Sequence, residues 1–109
     1  MIEAKFFNLG NDLYGFEISG HSGYVKKEKD DIVCAAVSSA ALMAANTITE
    51  ILHLDADVDM NEDGFLKLTA DIHKDAQPVL RGLELHLKAL SQEYPKNIKV
   101  TSNGGANNA

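Results

Sequence analysis

The sequence predicts an α+β fold: a mainly antiparallel sheet with two helices packed on it in two layers, in the order ββαββαβ. Three observations carry that prediction. Apolar and polar residues alternate in two pairs of short segments, each pair joined by a tight turn rich in Gly, Asn or Asp. Two longer segments instead repeat apolar residues at three- and four-residue steps. A chain of 109 residues, 45% hydrophobic and 24% charged, suits one domain with a single core.

The first pair covers residues 2–9 and 13–19 around Gly10-Asn11-Asp12. Ile2, Ala4 and Phe6 alternate in one strand and Tyr14, Phe16 and Ile18 in the other, so each triplet is expected on the buried face. Residues 22–30 read as a charged surface loop, with Lys26, Lys27, Glu28, Lys29 and Asp30 in succession. A long helix then runs over 32–54, with the stripe Val33, Val37, Ala40, Ala44, Ile48 and Ile51. Asp30 or Asp31 is expected to cap its N-terminus. Its alanine density lets the backbone approach a neighbour closely.

The second hairpin pairs residues 55–60 with 65–72 across Asn61-Glu62-Asp63-Gly64. A second helix spans 75–94, with Pro78 tolerated in its first turn and Val79, Leu80, Leu83, Leu87, Leu90 and Tyr94 as its apolar stripe. Pro95 closes it, and 97–101 form a last strand. One domain over 1–101 is expected, followed by a disordered Gly/Asn/Ala-rich tail over 102–109. Met43 and Met60 read as core filler.

Composition narrows the function. Ten Lys and Arg against sixteen Asp and Glu give a net charge of −6, which lacks the basic footprint of a nucleic-acid binder and suits a basic partner. The N-terminus enters alternating strand residues at once, so no signal peptide is expected. No apolar run is read as reaching the ~20 residues of a membrane span. The expected location is the cytoplasm. One cysteine excludes an internal disulfide and is too few for a multi-cysteine zinc site. His53, His73 and His86 are widely spaced, so no metal or cofactor is expected.

The chemistry concentrates in Gly20-His21 and Asp31-Ile32-Val33-Cys34-Ala35-Ala36-Val37-Ser38, on either side of the charged loop. With Asp31 as cap, Cys34 falls in the first helical turn, where free N–H groups favour a thiolate. The helix dipole contributes at best about 2 kcal/mol, while the Asp31 charge itself would oppose the thiolate. A protonated His21 about 4 Å away would add about 4 kcal/mol at an effective dielectric of about 20, before desolvation. Cys34 could then attack a carbonyl while His21 moves the proton, with first-turn N–H groups holding the oxyanion. Ser38, one turn on, could contact the same site, although it reads more often as a small packing residue. On the residues alone, a lone cysteine in an alanine-rich helix reads more often as a buried core thiol, and a lone histidine as a polar loop residue.

These residues resemble the signature of the ribosomal-processing cysteine protease family, Prp (YsxB-like). The match is carried by Gly20-His21, the polar loop and the run Asp31 to Ser38, and it extends over residues 1–101. The resemblance implies a Cys34/His21 dyad that removes a short N-terminal extension from a basic large-subunit ribosomal protein, the one numbered twenty-seven, cutting after a phenylalanine. It also implies a homodimer, with a loop over 22–30 that orders around substrate. Two alternatives keep the same residues. One is a non-catalytic ribosome-assembly or peptide-binding module. The other is a thiol redox sensor, for which the chain offers no resolving cysteine.

Overall fold

Alternation builds the sheet, and cross-strand register decides which side chains it buries. The computed structural model of the protein describes residues 1–20, 28–62 and 64–103. Its strands are β1 (Ile2–Leu9), β2 (Asp12–Ser19), β3 (Ala56–Met60), β4 (Leu66–Ala70) and β5 (Ile98–Asn103). They form one sheet in the order β3-β4-β2-β1-β5, antiparallel except where β5 runs parallel to β1. Two helices, α1 (Glu28–Asn46) and α2 (Gln77–Glu93), complete the predicted order ββαββαβ.

One face of the sheet makes the core. Ser102, Phe6, Phe16, Leu68 and Val58 lie in one cross-strand row, and Val100, Ala4, Ile18, Leu66 and Met60 in the next. Phe6, Phe16 and Leu68 are fully buried in the first row, and Ala4 is in the second. Val33, Val37, Ala41, Ala44, Ala45 and Ile48 close over them from α1 and its last turn; Leu80, Leu83 and Leu87 do so from α2. Each large side chain buried in this way contributes about 1.5–3 kcal/mol of transfer free energy. Both rows run out at β3, where Val58 is 47% and Met60 61% exposed.

The structure corrects the strand reading at Tyr14. The β1–β2 register shifts between Phe7 and Asn8, which pairs Asn8 with Leu13 and makes Tyr14 the extra residue. Such a bulge exchanges faces beyond it. Leu13 therefore enters the core, while Tyr14 stacks on Phe7 on the open face at 5.7 Å between centroids. Gly15 follows the bulge because a Cβ there would stand 2.1 Å from the Leu68 carbonyl oxygen.

The helices differ from expectation at their ends. α1 includes Glu28, so Asp31 lies inside the helix and is not its N-cap. Glu and Lys are good helix formers, and Glu28, Lys29 and Asp30 belong to the helix instead of preceding it. At its other end α1 passes into a π-turn, Thr47–Ile51, with the Leu52 N–H donating to the Thr47 carbonyl at 2.9 Å. Ile51 and Met43 are exposed, which corrects their assignment to the core, as does the exposure of Met60. The expectation that no stretch could span a membrane is also corrected: residues Ile32–Ile51, 20 in all, are long and apolar enough by length and composition. Here that helix packs on the sheet, with six of its residues in the core.

α2 follows a single 3₁₀ turn, Lys74–Ala76, and carries Pro78 in its first turn as predicted. Its Gln77 side chain accepts a hydrogen bond from the Leu13 N–H and donates one to the Leu13 carbonyl, both at 2.8 Å. Arg81 donates to the Asn11 carbonyl in the β1–β2 turn. Ser102 and Asn103, predicted as the start of the tail, belong to β5, and residues 104–109 lie outside the described residues. Ser102 Oγ donates to Glu84 Oε2 at 3.1 Å. Glu84, nearly buried on α2, is also paired with Arg81 at 3.1 Å and Lys88 at 3.7 Å.

Candidate active site

Gly20 ends β2 in a conformation that a side chain would resist. Its φ is +77°, and a Cβ would stand 2.4 Å from the Met1 carbonyl oxygen. Both the left-handed backbone and the close approach demand glycine. The chain leaves β2 there toward His21. His21 and residues 22–27 lie outside the described residues; residues 28–30 of the predicted loop are helical.

Cys34 sits in the second turn of α1 as a free, partly buried thiol packed against the core. Its neighbours Val33 and Val37 are buried, so the side chain stands at the margin of the buried stripe. The extended helix changes the predicted chemistry. In the second turn the Cys34 N–H belongs to the intrahelical ladder, so it is no free oxyanion donor. The dipole effect also falls off beyond the first turn. Asp31 loses the capping role through the same extension, and its side chain lies outside what the structure describes.

Ser38 is exposed one turn beyond Cys34, and Leu42 one turn further, so the three share a ridge of α1. Ser38 and Leu42 wall a cleft of about 180 Å³ whose other sides include Ile18, Met60 and Phe65. Ile18 of β2 lies two residues before Gly20, and Met60 and Phe65 flank the β3–β4 turn. The cleft thus joins the end of β2, the Cys34 ridge and the second hairpin. Met60, Leu42 and Phe65 are the residues that sequence reading missed. The signal was the pairing of Met60 with Leu66, and of Leu66 with Ile18, which the second hairpin alone does not disclose.

A larger apolar groove of about 700 Å³ lies between the helices, walled by Ala40 and Met43 from α1 and Val79, Gly82 and His86 from α2. Among the described residues, no three His, Cys, Asp or Glu side chains gather to hold a metal ion. The described part of the site is therefore a partly covered thiol one helical turn from the Ser38 wall of a small cleft. The cleft has room for about one large side chain.

Comparison with known proteins points the same way. The family profile described as cysteine protease Prp matches residues 1–99. A ribosomal processing cysteine protease Prp from Bacillus subtilis (strain 168) is 26% identical over 98 residues, covering 84% of this chain and 87% of its own. The fold is similar to an essential ribosomal processing protease Prp from Staphylococcus aureus solved with a covalently linked product peptide. Its TM-score is 0.83 at 22% identity, over 94% of this chain and 100% of that one. The same S. aureus enzyme with a substrate peptide gives 0.82 at 19% identity, with the same coverage.

Proposed function

The chain belongs to the Prp family of cysteine proteases, and from that premise we propose that it is an endopeptidase that removes the N-terminal extension of a basic large-subunit ribosomal protein. The observation that carries this reading is the family match over residues 1–99 in a chain with a single cysteine, Cys34. A cysteine protease needs a thiol nucleophile, and this chain has one candidate. Its partial exposure, one helical turn from a cleft with room for one side chain, supports the role.

In this mechanism His21 takes the thiol proton as Cys34 Sγ attacks the scissile carbonyl. The C–N bond then breaks, and His21 returns the proton to the leaving amine. A water molecule, giving its proton to His21, hydrolyses the thioester; the proton passes back to Sγ, and the released acid leaves the thiol free. Because Cys34 lies past the first turn of α1, activation rests on His21 more than on the helix start. Gly20 sets the direction of the chain into His21, and Ser38 lines the cleft beside the nucleophile. The net charge of −6 favours encounter with a basic precursor. We further place the enzyme in the cytoplasm as a homodimer, a role for which the apolar groove around Met43 is available.

The test is incubation with a peptide spanning the extension and the start of the mature ribosomal protein, read by mass spectrometry. Cleavage at one bond is expected, with a loss on the order of 10³-fold or more in Cys34→Ala and in His21→Ala. Cleavage that survives in Cys34→Ala removes that residue as nucleophile. Tight binding with no cleavage over hours would instead establish the non-catalytic module.

A further inference from the structure

The two edges of the sheet carry opposite charge. β5 and the turn before it bear Lys96 and Lys99, whereas every charged residue from 55 to 62 is acidic: Asp55, Asp57, Asp59 and Glu62. Among the described residues, β3 pairs with β4 alone. The Asn61 N–H donates to the Phe65 carbonyl at 3.1 Å, and this sets the phase of the antiparallel ladder. Alternate residues then turn their peptide groups to β4, which leaves those of Ala56, Val58 and Met60 directed at the open edge. A row of unmet N–H and C=O groups is a template for another strand.

The side chains of that edge divide by face. Val58 and Met60 continue the two core rows, and both are exposed. Asp57 and Asp59 lie on the other face, across from Thr69 and Lys67. Met60 is also a wall of the cleft that includes Ser38, one helical turn from Cys34. One turn separates side chains by about 6 Å, a distance that an extended peptide covers in about two residues.

We propose that the outer edge of β3 is the docking strand for substrate: an extended segment bearing Lys or Arg pairs with the backbone of Ala56, Val58 and Met60 and seats an apolar side chain in the cleft beside Met60. This rests on the protease reading and names how that site holds its peptide. Charge complementarity selects the occupant. A second copy meeting β3 with its own β3 would set Asp57 and Asp59 against aspartates, and like charges across strands destabilise pairing. A second copy offering its basic β5 would bind head to tail, which gives open chains instead of a closed dimer. A basic peptide meets neither obstacle.

The experiment measures fluorescence anisotropy with the full chain carrying Cys34→Ala, so that the probe stays intact. The probe is a fluorescein-labelled peptide, Lys-Leu-Lys-Thr-Lys-Leu. Val58→Pro removes an outward N–H while sparing the β4 ladder, and the double change Asp57→Lys with Asp59→Lys reverses the edge charge. Each is expected to raise Kd about tenfold, as is replacing the probe's lysines with glutamates or N-methylating alternate probe amides. Circular dichroism establishes that the variants fold; should Val58→Pro fail to fold, the charge reversal and the N-methylated probe decide. Unchanged Kd in these arms overturns the proposal. So does a change of sedimentation mass in the folded variants, which would give the edge to a second copy. With Cys34 restored, cleavage of the extension peptide at unchanged KM in Val58→Pro sinks the docking strand and spares the protease. Edge-dependent binding without any cleavage sinks the protease and spares the docking strand.

Discussion

α1 and α2 close over the same core and are fastened to it by different means. α2 presents leucines to the sheet and adds polar tethers: Gln77 to the Leu13 backbone, Arg81 to Asn11, and Glu84 to Ser102 of β5. α1 seats small residues, Ala41, Ala44 and Ala45, between Val33, Val37 and Ile48. The hydroxyls of Thr47 and Thr49 bond back to the Met43 and Ala45 carbonyls within the same helix. The outer side of α1 leaves Ile32, Leu42 and Met43 exposed. Among the described residues, the difference separates a scaffold helix, fixed by directional bonds, from a helix held by shape, with Cys34 at the margin of its buried stripe.

That contrast can be broken most sharply at Gln77. Gln77→Ala leaves both backbone groups of Leu13 without their partner, and the expected loss is about 2–4 kcal/mol. Denaturant unfolding checks it; a loss below half a kcal/mol would mean that water replaces the clamp and that α2 is held by its leucines alone. Next comes Ala41→Leu, which forces a large side chain into the close-packed seat of α1. A cost of about 1–3 kcal/mol is expected, read in the same titration, and a neutral result would show slack under α1. The smallest effect belongs to Met43→Ser on the exposed face, where stability at low protein concentration should stay within about 0.5 kcal/mol. A larger loss there would make Met43 part of the core of this chain.

Much of this was legible beforehand, because it rests on local rules. Pro78 in the first turn of α2, the leucine stripe behind it and the two hairpins all follow from periodicity and backbone chemistry. Gly20 was visible as part of a motif, although the reason for it, the nearby Met1 carbonyl, was not. Cys34 and Ser38 share an α1 ridge, as their four-residue spacing requires. The start of α1 is not legible in its charges, because Glu28 and Lys29 suit a solvated loop and a helix equally in composition, while their propensity favours helix. Tyr14 and Leu13 exchanged faces through one bulged residue, which alternation alone does not reveal. Met60 is exposed although it continues an apolar row, because a strand residue is buried only if something covers its strand.

By itself the sequence determined the order of elements, the residue types on each buried stripe and the one thiol available to a protease of this family. Periodicity, turn chemistry and the count of cysteines are properties of neighbours along the chain. Only the tertiary structure decided that β3 lies at an edge, that its apolar rows emerge beside the Cys34 ridge, and that Glu84 of α2 meets Ser102 of β5. Strand order and helix seating arise from contacts between distant segments, where packing and cross-strand register govern and local propensity has no purchase.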